Sequence, residues 1–364
     1  LIKIINVVGA RPNFMKIAPI QREMAKYDNI QPVLVHTGQH YDERMSKLFF
    51  DDLQLPKPDI YLDVRSGSHA VQTAKVMMAF EEVLKQEKPD LVIVVGDVNS
   101  TAACSMVAAK MDTKIAHVEA GLRSFDRTMP EEINRLVTDV LSDFLFVTEK
   151  SGLENLKREG IDDAKVHFVG HVMIDSLIYF EPMAEKSPVL QDLQLEPQSY
   201  GLITLHRPSN VDHKENFLKL LNAFEHIEKQ IPLIFPIHPR SQKMIDQFGL
   251  REKVEKMKNL RLLEPLGYLD FMKLLHNAKL VLTESGGIQE ETTYLGIPCI
   301  TMRENTERPV TVEVGTNVLV GTDTERIIAE TQKVLDGNAK KGQIPELWDG
   351  KAAERIVKIL NEKL

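Results

Sequence analysis

The chain has 364 residues, 43% of them hydrophobic and 27% charged, with a formal net charge of −8. That length exceeds one ordinary core and fits two domains. The acidic balance without a basic stripe excludes a nucleic-acid surface, and no apolar run approaches the roughly 20 residues that span a bilayer.

Short apolar runs alternate with helix-length amphipathic ones. In the first half strands are expected at 2–8, 32–36, 91–95, 115–118, 144–147 and 166–169, and helices at 14–26, 42–51, 71–86, 100–111, 131–141 and 150–158. Runs such as LVIVV are apolar throughout, as in parallel sheets covered on both faces. Residues 181–199 carry three prolines and no clear strand. Alternation then resumes with strands at 201–205, 233–236, 260–263, 280–283, 299–301 and 317–320, and helices at 214–229, 268–276, 288–295 and 325–335. The pattern is α/β, with two Rossmann-like doubly wound domains facing a cleft. The domains are expected at 1–172 and 173–351, with a last helix at 352–364 packing back on the first. Cys104 and Cys299 lie in apolar segments and read as small core residues, not a disulfide or a metal site. The chain enters a strand directly and shows no signal peptide, so the expected compartment is the cytoplasm.

The unusual residues cluster where strands end, which is where ligands bind in such sheets. Gly9-Ala10-Arg11-Pro12-Asn13-Phe14-Met15-Lys16 follows the first strand. It lacks the G-x-G-x-x-G spacing, so no nicotinamide cofactor is implied. Arg11 and Lys16 straddle a helix start that is already positive, a poor place for cations unless an anion joins them. Asp97, in Gly96-Asp97-Val98-Asn99-Ser100, is placed either for catalysis or, with Asn99 or Ser100, as a helix cap. Glu119, in His117-Val118-Glu119-Ala120-Gly121-Leu122-Arg123-Ser124, directly follows an apolar strand and is costly there unless paired or working. Glu131, in Met129-Pro130-Glu131-Glu132-Ile133-Asn134-Arg135, either suits the helix dipole and pairs with Arg135 or joins Asp97 and Glu119 in a proton-handling group.

In the second half His206 lies just past a strand and is either structural or catalytic. Ser285-Gly286-Gly287 lies between a strand and a helix, a phosphate seat in which glycines admit the ligand to free helical N–H groups. Glu291, one turn on, is placed to accept from ribose hydroxyls, and Arg308 is placed as a phosphate clamp. No zincin spacing occurs and no metal is expected.

Taken in order, GARPNFMKIAP, GDVNST, HVEAGLRS, MPEEINR, HRPSN, TESGGIQEE and RENTERP resemble the non-hydrolysing UDP-N-acetylglucosamine 2-epimerases over almost the whole chain. The resemblance implies a glycosyltransferase-B-like fold, a homodimer, no redox cofactor, and interconversion of UDP-GlcNAc and UDP-ManNAc. The implied route is anti elimination of UDP to a 2-acetamidoglucal, followed by re-addition. It also implies that Asp97, Glu119 and Glu131 handle the C2 proton and organise the sugar, and that Arg11 and His206 stabilise the diphosphate. Lys16 matches a functional position of the family, and Phe271 one that packs near the uracil. Relatives acting on UDP-2,3-diacetamido-2,3-dideoxy-glucuronate share some motifs. A hydrolysing epimerase releasing ManNAc and a glycosyltransferase of the same fold are the other readings. The chain departs from many bacterial relatives at Gln39 to Met45 and at Pro208. There it lacks two cations that help bind an activating second UDP-GlcNAc.

Overall fold

The structure is a computed structural model that describes residues 1–38, 57–65 and 67–364, with the backbone only of Arg11. The helix expected at 42–51 and the departure at Gln39 to Met45 lie outside the described residues. The chain forms two compact units, one of Leu1–Tyr179 with Glu346–Leu364, the other of Phe180–Pro345.

Among the described residues the first unit is a seven-stranded parallel sheet of order β3-β2-β1-β4-β5-β6-β7. Its strands are β1 (Ile2–Val8), β2 (Ile30–His36), β3 (Ile60–Tyr61), β4 (Leu91–Val95), β5 (Lys114–Ala120), β6 (Phe144–Val147) and β7 (Val166–Phe168). The interleaved helices are α1 (Arg11–Met24), α2 (His69–Glu87), α3 (Asn99–Lys110), α4 (Pro130–Leu141), α5 (Lys150–Arg158) and α6 (Val172–Ala184), the last of which runs into the second unit. β4 is buried at every residue, because helices cover both faces. Val76, Phe80, Val83, Cys104 and Val107 of α2 and α3 form one core layer with Ile5, Val7, Val92 and Val94 of the sheet. Numbering runs outward in both directions from β1 and β4, so the topological switch point, where such folds bind ligands, lies between those two strands.

The second unit repeats the scheme with six parallel strands of order β10-β9-β8-β11-β12-β13. These are β8 (Gly201–Ile203), β9 (Leu233–Pro236), β10 (Leu260–Leu263), β11 (Leu280–Thr283), β12 (Cys299–Thr301) and β13 (Asn317–Leu319). Its switch point lies between β8 and β11. The helices are α7 (Val189–Asp192), α8 (Pro208–Val211), α9 (Lys214–Ile227), α10 (Pro239–Gln247), α11 (Arg251–Glu255), α12 (Tyr268–His276), α13 (Gly286–Leu295), α14 (Pro309–Glu313) and α15 (Thr324–Leu335). Residues 181–199 carry no strand, as expected; they hold the end of α6, which continues through Pro182, and the short α7. α8, α10 and α14 each start on a proline, whose fixed φ and missing N–H suit the first helical position. Among the described residues no helix is long and apolar enough to cross a membrane.

The final helix α16 (Ala352–Lys363) belongs to the first unit and packs on α1. Asp175 caps it, accepting from the N–H of Ala352 (3.2 Å) and Ala353 (2.7 Å). Trp348 anchors the approach: it is fully buried, donates Nε1–H to the Thr148 carbonyl at 3.0 Å and meets His171 edge-on at 5.0 Å. Trp348→Ala should lower the unfolding free energy by about 3–5 kcal/mol in urea denaturation followed by circular dichroism. A loss below about 1 kcal/mol, the range of a surface change, would contradict this anchoring role.

Candidate active site

At the first switch point, β1 is followed by Gly9 and Ala10, whose N–H groups donate to Asn13 Oδ1 at 3.2 and 2.9 Å. Asn13 Nδ2 donates to the Val95 carbonyl at 3.1 Å, which ties the start of α1 to the end of β4. Arg11 and Pro12 open that helix, three residues before the start at residue 14 that the sequence suggests. One turn further on, Lys16 is buried and forms an ion pair with Glu119. Gly96 lies against the same ammonium: a Cβ there would stand 2.9 Å from Lys16 Nζ, and the backbone is left-handed with φ +66°. Glycine is the residue that satisfies both demands.

Glu119 occupies a β-bulge. The pairing of β5 with β6 shifts register between Val118 and Ala120, and Glu119 takes φ +78°. A non-glycine residue in that region costs about 1–3 kcal/mol and persists only where its surroundings hold it. Here they do. His117 is fully buried, with Nδ1 2.6 Å from Asp139 Oδ1 and Nε2 2.8 Å from the Gly96 carbonyl. Asp139 also accepts from the Gly121 N–H at 3.1 Å and pairs with Arg123 at 2.7 Å, and Arg123 reaches Glu159 at 2.8 and 2.6 Å. Burial pushes the Asp139 carboxyl up, but His117 and Arg123 outweigh it and hold it below the usual carboxylate range.

Asp97 is gripped by Arg135, whose Nε and Nη2 both donate to Oδ2, at 3.0 and 2.6 Å. The same guanidinium donates to Glu132 Oε2 at 2.8 Å, and Glu132 in turn accepts from Ser124 N–H (2.9 Å), Ser124 Oγ (3.0 Å) and Phe125 N–H (2.9 Å). Asn134 donates to the Asp97 carbonyl at 2.9 Å. Thus consecutive residues of α4 fix both the side chain and the backbone of Asp97. None of Asp97, Asn99 or Ser100 caps α3; Val98 holds that position. Glu131 lies half-buried in the first turn of α4, beside Glu132.

At the second switch point Ser285 is the N-cap of α13, and Gly286 and Gly287 are its first two residues. A Cβ on Gly287 would meet nothing within 4 Å, whereas one on Gly286 would strike the Arg308 guanidinium. Arg308 is buried and pairs with Glu290 and Glu307. Arg303 joins Glu307 at 2.7 Å. Glu284, fully buried, accepts from the N–H groups of His206 and Arg207 and from Asn210 Nδ2 at 2.8 Å, so it fastens the loop after β8 to the turn after β11. Its carboxyl is raised by burial against the pull of those N–H donors. His206 is half-buried, with its ring 5.0 Å from that of His238. Burial and the charges of Arg207 and Arg240 lower it to about 4. Burial, then Glu290, raises Glu291 to about 8. Phe271 on α12 packs half-buried against the core cluster that Ile288 of α13 also joins. Among the described residues no group of three His, Cys, Asp or Glu side chains is placed to hold a metal ion.

The family model described as UDP-N-acetylglucosamine 2-epimerase matches residues 22–361. The UDP-N-acetylglucosamine 2-epimerase of Methanocaldococcus jannaschii is 45% identical, covering 97% of this chain and 97% of that one. A crystal structure of the Methanocaldococcus jannaschii UDP-GlcNAc 2-epimerase in complex with UDP-GlcNAc and UDP is 44% identical, covers 99% of this chain and 100% of that one, and superposes with a TM-score of 0.92. The chain belongs to the UDP-N-acetylglucosamine 2-epimerase family. A further relative, the UDP-2,3-diacetamido-2,3-dideoxy-D-glucuronate 2-epimerase of Pseudomonas aeruginosa, is 40% identical over 98% of this chain and 99% of that one. The glycosyltransferase-B-like fold expected from the motifs is the fold of these epimerases.

Within this epimerase chain, Lys16, Asp97 and Glu119 come together around Gly96, and Glu131 lies on the helix that grips Asp97. His206, Ser285, Gly286 and Arg308 gather around Glu284 and the start of α13, with Glu291 in the same helix. The sequence points to Arg135 only as a pair of Glu131 and to Glu132 only as a residue suited to the helix dipole, and to no role for His117, Asp139 or Glu284. The signal for the last was present, since Glu284 follows an apolar strand as Glu119 does. The raised Glu291 gives a test by linkage. An unfolded glutamate releases its proton near 4.5 while the folded one keeps it to about 8, so the stability from this group is present below about 4.5 and lost as pH rises toward 8. Glu291→Gln should therefore flatten the fall in unfolding free energy between pH 5 and 8 in urea titrations. Parallel curves for the two proteins would contradict the assignment.

Proposed function

We propose that the chain interconverts UDP-N-acetylglucosamine and UDP-N-acetylmannosamine. The observation that carries this reading is the 45% identity to an enzyme of that name along essentially the whole chain. The buried pair Lys16–Glu119 and the half-buried pair Arg135–Asp97 at the ends of adjacent strands support it. The C2 proton of a sugar is not acidic, so a base alone cannot epimerise it. In the proposed step a carboxylate takes that proton, the C1–O bond to UDP breaks, and the electron pair left at C2 becomes the C1=C2 bond of 2-acetamidoglucal. As UDP re-adds at C1, a second acid delivers a solvent-exchangeable proton to the other face of C2. Departure of a stabilised diphosphate makes this feasible. Asp97, Glu119 and Glu131 are assigned to the proton and the sugar. Arg11, Lys16, His206 and Arg308 are assigned to charge on the diphosphate, the α13 N-terminus to a phosphate, Glu291 to the ribose and Phe271 to the uracil side. With His206 neutral at ordinary pH, it acts as a hydrogen-bond donor, and an arriving diphosphate raises its hold on a second proton. No redox cofactor enters this scheme. The 40% identity to the diacetamido-uronate epimerase favours a second reading in which the same chemistry acts on that sugar.

Incubation with UDP-GlcNAc in deuterium oxide should place deuterium at C2 of both nucleotide sugars, read by proton NMR, and Asp97→Asn, Glu119→Gln and Glu131→Gln should each lower the rate by about 10²–10⁴-fold. Exchange on the diacetamido uronate alone would select the second reading, and steady release of free sugar a hydrolysing enzyme. Absence of C2 exchange on either nucleotide would defeat the proposal.

The proposal includes a homodimer and the cytoplasm as the compartment. Supporting the dimer, Val71 and Met78 of α2 and Ile133 and Val140 of α4 are exposed apolar residues, each pair seven apart and so on one helix face. A hollow of about 420 Å³, lined by Ala70, Ala74, Met77, Pro130 and Ile133 among others, lies beside them. Met78→Glu with Ile133→Glu should convert a dimer to a monomer in light scattering. An unchanged mass would place the contact elsewhere.

A further inference from the structure

The strain at Glu119 has a specific support that takes no part in the proposed chemistry. One carboxylate, Asp139, touches the strand on both sides of the bulge: Oδ1 meets His117 Nδ1 at 2.6 Å, two residues before Glu119, and Oδ2 accepts from the Gly121 N–H at 3.1 Å, two residues after it. His117 carries the connection on to the Gly96 carbonyl at 2.8 Å, and Gly96 borders the ammonium of Lys16, the ion partner of Glu119. Behind Asp139 stand Arg123 and Glu159, and Asn155 holds the Gly121 carbonyl at 2.9 Å. A slip of one residue in a strand turns a side chain to the opposite face. A glutamate held at φ +78° in a bulge is open to that slip once its flanks are released.

We propose that the buried His117–Asp139 pair is a positioning unit for Glu119, which clamps the backbone on either side of the bulge and so fixes where that carboxylate points. This rests on the epimerase reading, in which Glu119 acts on the sugar. His117 and Asp139 are both fully buried and act only through the residues they hold.

The test is steady-state kinetics with UDP-GlcNAc on Asp139→Asn, His117→Ala and His117→Gln, alone and combined with Glu119→Gln. Misplacing a reacting group by about 1 Å costs about 10²-fold. Asp139→Asn and His117→Ala should therefore lower kcat by about that factor with KM nearly unchanged. His117→Gln, whose amide can still donate to Gly96, should recover part of the loss. In the Glu119→Gln background, adding Asp139→Asn should do little more, because the group it positions is already gone. A folded Asp139→Asn protein with the kcat of the unsubstituted one, or losses that multiply, would overturn the proposal. Should Asp139→Asn not fold, the His117→Ala and His117→Gln comparison decides, and equal kcat in both overturns it. If the unsubstituted protein turns over neither nucleotide sugar, the epimerase reading itself has failed. The positioning is then judged from a crystal structure of His117→Ala: residue 119 leaving the left-handed region supports it, and an unchanged bulge refutes it.

Discussion

A carboxylate taken out of water at the end of a strand must be met by donors or it will not stay ionised there. That requirement organises both units. Glu119 is met by Lys16, Asp97 by Arg135, and Glu284 by two backbone N–H groups and Asn210, and on helix α4 the buried Asp139 is met in the same way by Arg123 and His117. Each pairing joins elements distant in sequence, so satisfying the charge also sets the geometry of the loops that carry it.

The doubly wound sheets decide where these loops lie. With β1 beside β4 and β8 beside β11, the loops after these strands part to opposite sides and leave the ends of the sheet open to a ligand. In the first unit the opening is occupied by acids and their cations. In the second it holds a helix N-terminus, two glycines and an arginine already shared between Glu290 and Glu307. Under the proposed function a diphosphate would have to compete for Arg308 with those two glutamates, which leaves the N–H groups of the first helical turn as its other donors.

Much of this was legible in the sequence. Strands at 91–95, 144–147 and 280–283 were visible because parallel strands buried on both faces are almost wholly apolar, and the strand at 2–8 was visible despite Lys3 and Asn6. Helices that start on Pro208, Pro239 and Pro309 were not, because proline reads as a breaker until its place at the first helical position is recognised. Asp97 and Glu119 stood out as acids directly behind apolar strands. The groups that hold them in place did not: Arg135, the partner of Asp97, and Asp139, which braces the strand around Glu119, sit in an amphipathic helix whose pattern shows which face is buried but not which strand end that face meets. The bulge at Glu119 was equally hidden, since its left-handed backbone falls on a glutamate and not a glycine.

The central claim is that the acids of the first unit meet the sugar at C2. The measurement that tests it most directly is a crystal structure of a slowed Glu119→Gln protein with UDP-GlcNAc bound. The account predicts C2 within about 3.5 Å of the side chain at position 119 or of Asp97 or Glu131, the distance at which reacting atoms sit before transfer. A bound sugar whose C2 lies beyond the reach of all three would contradict it.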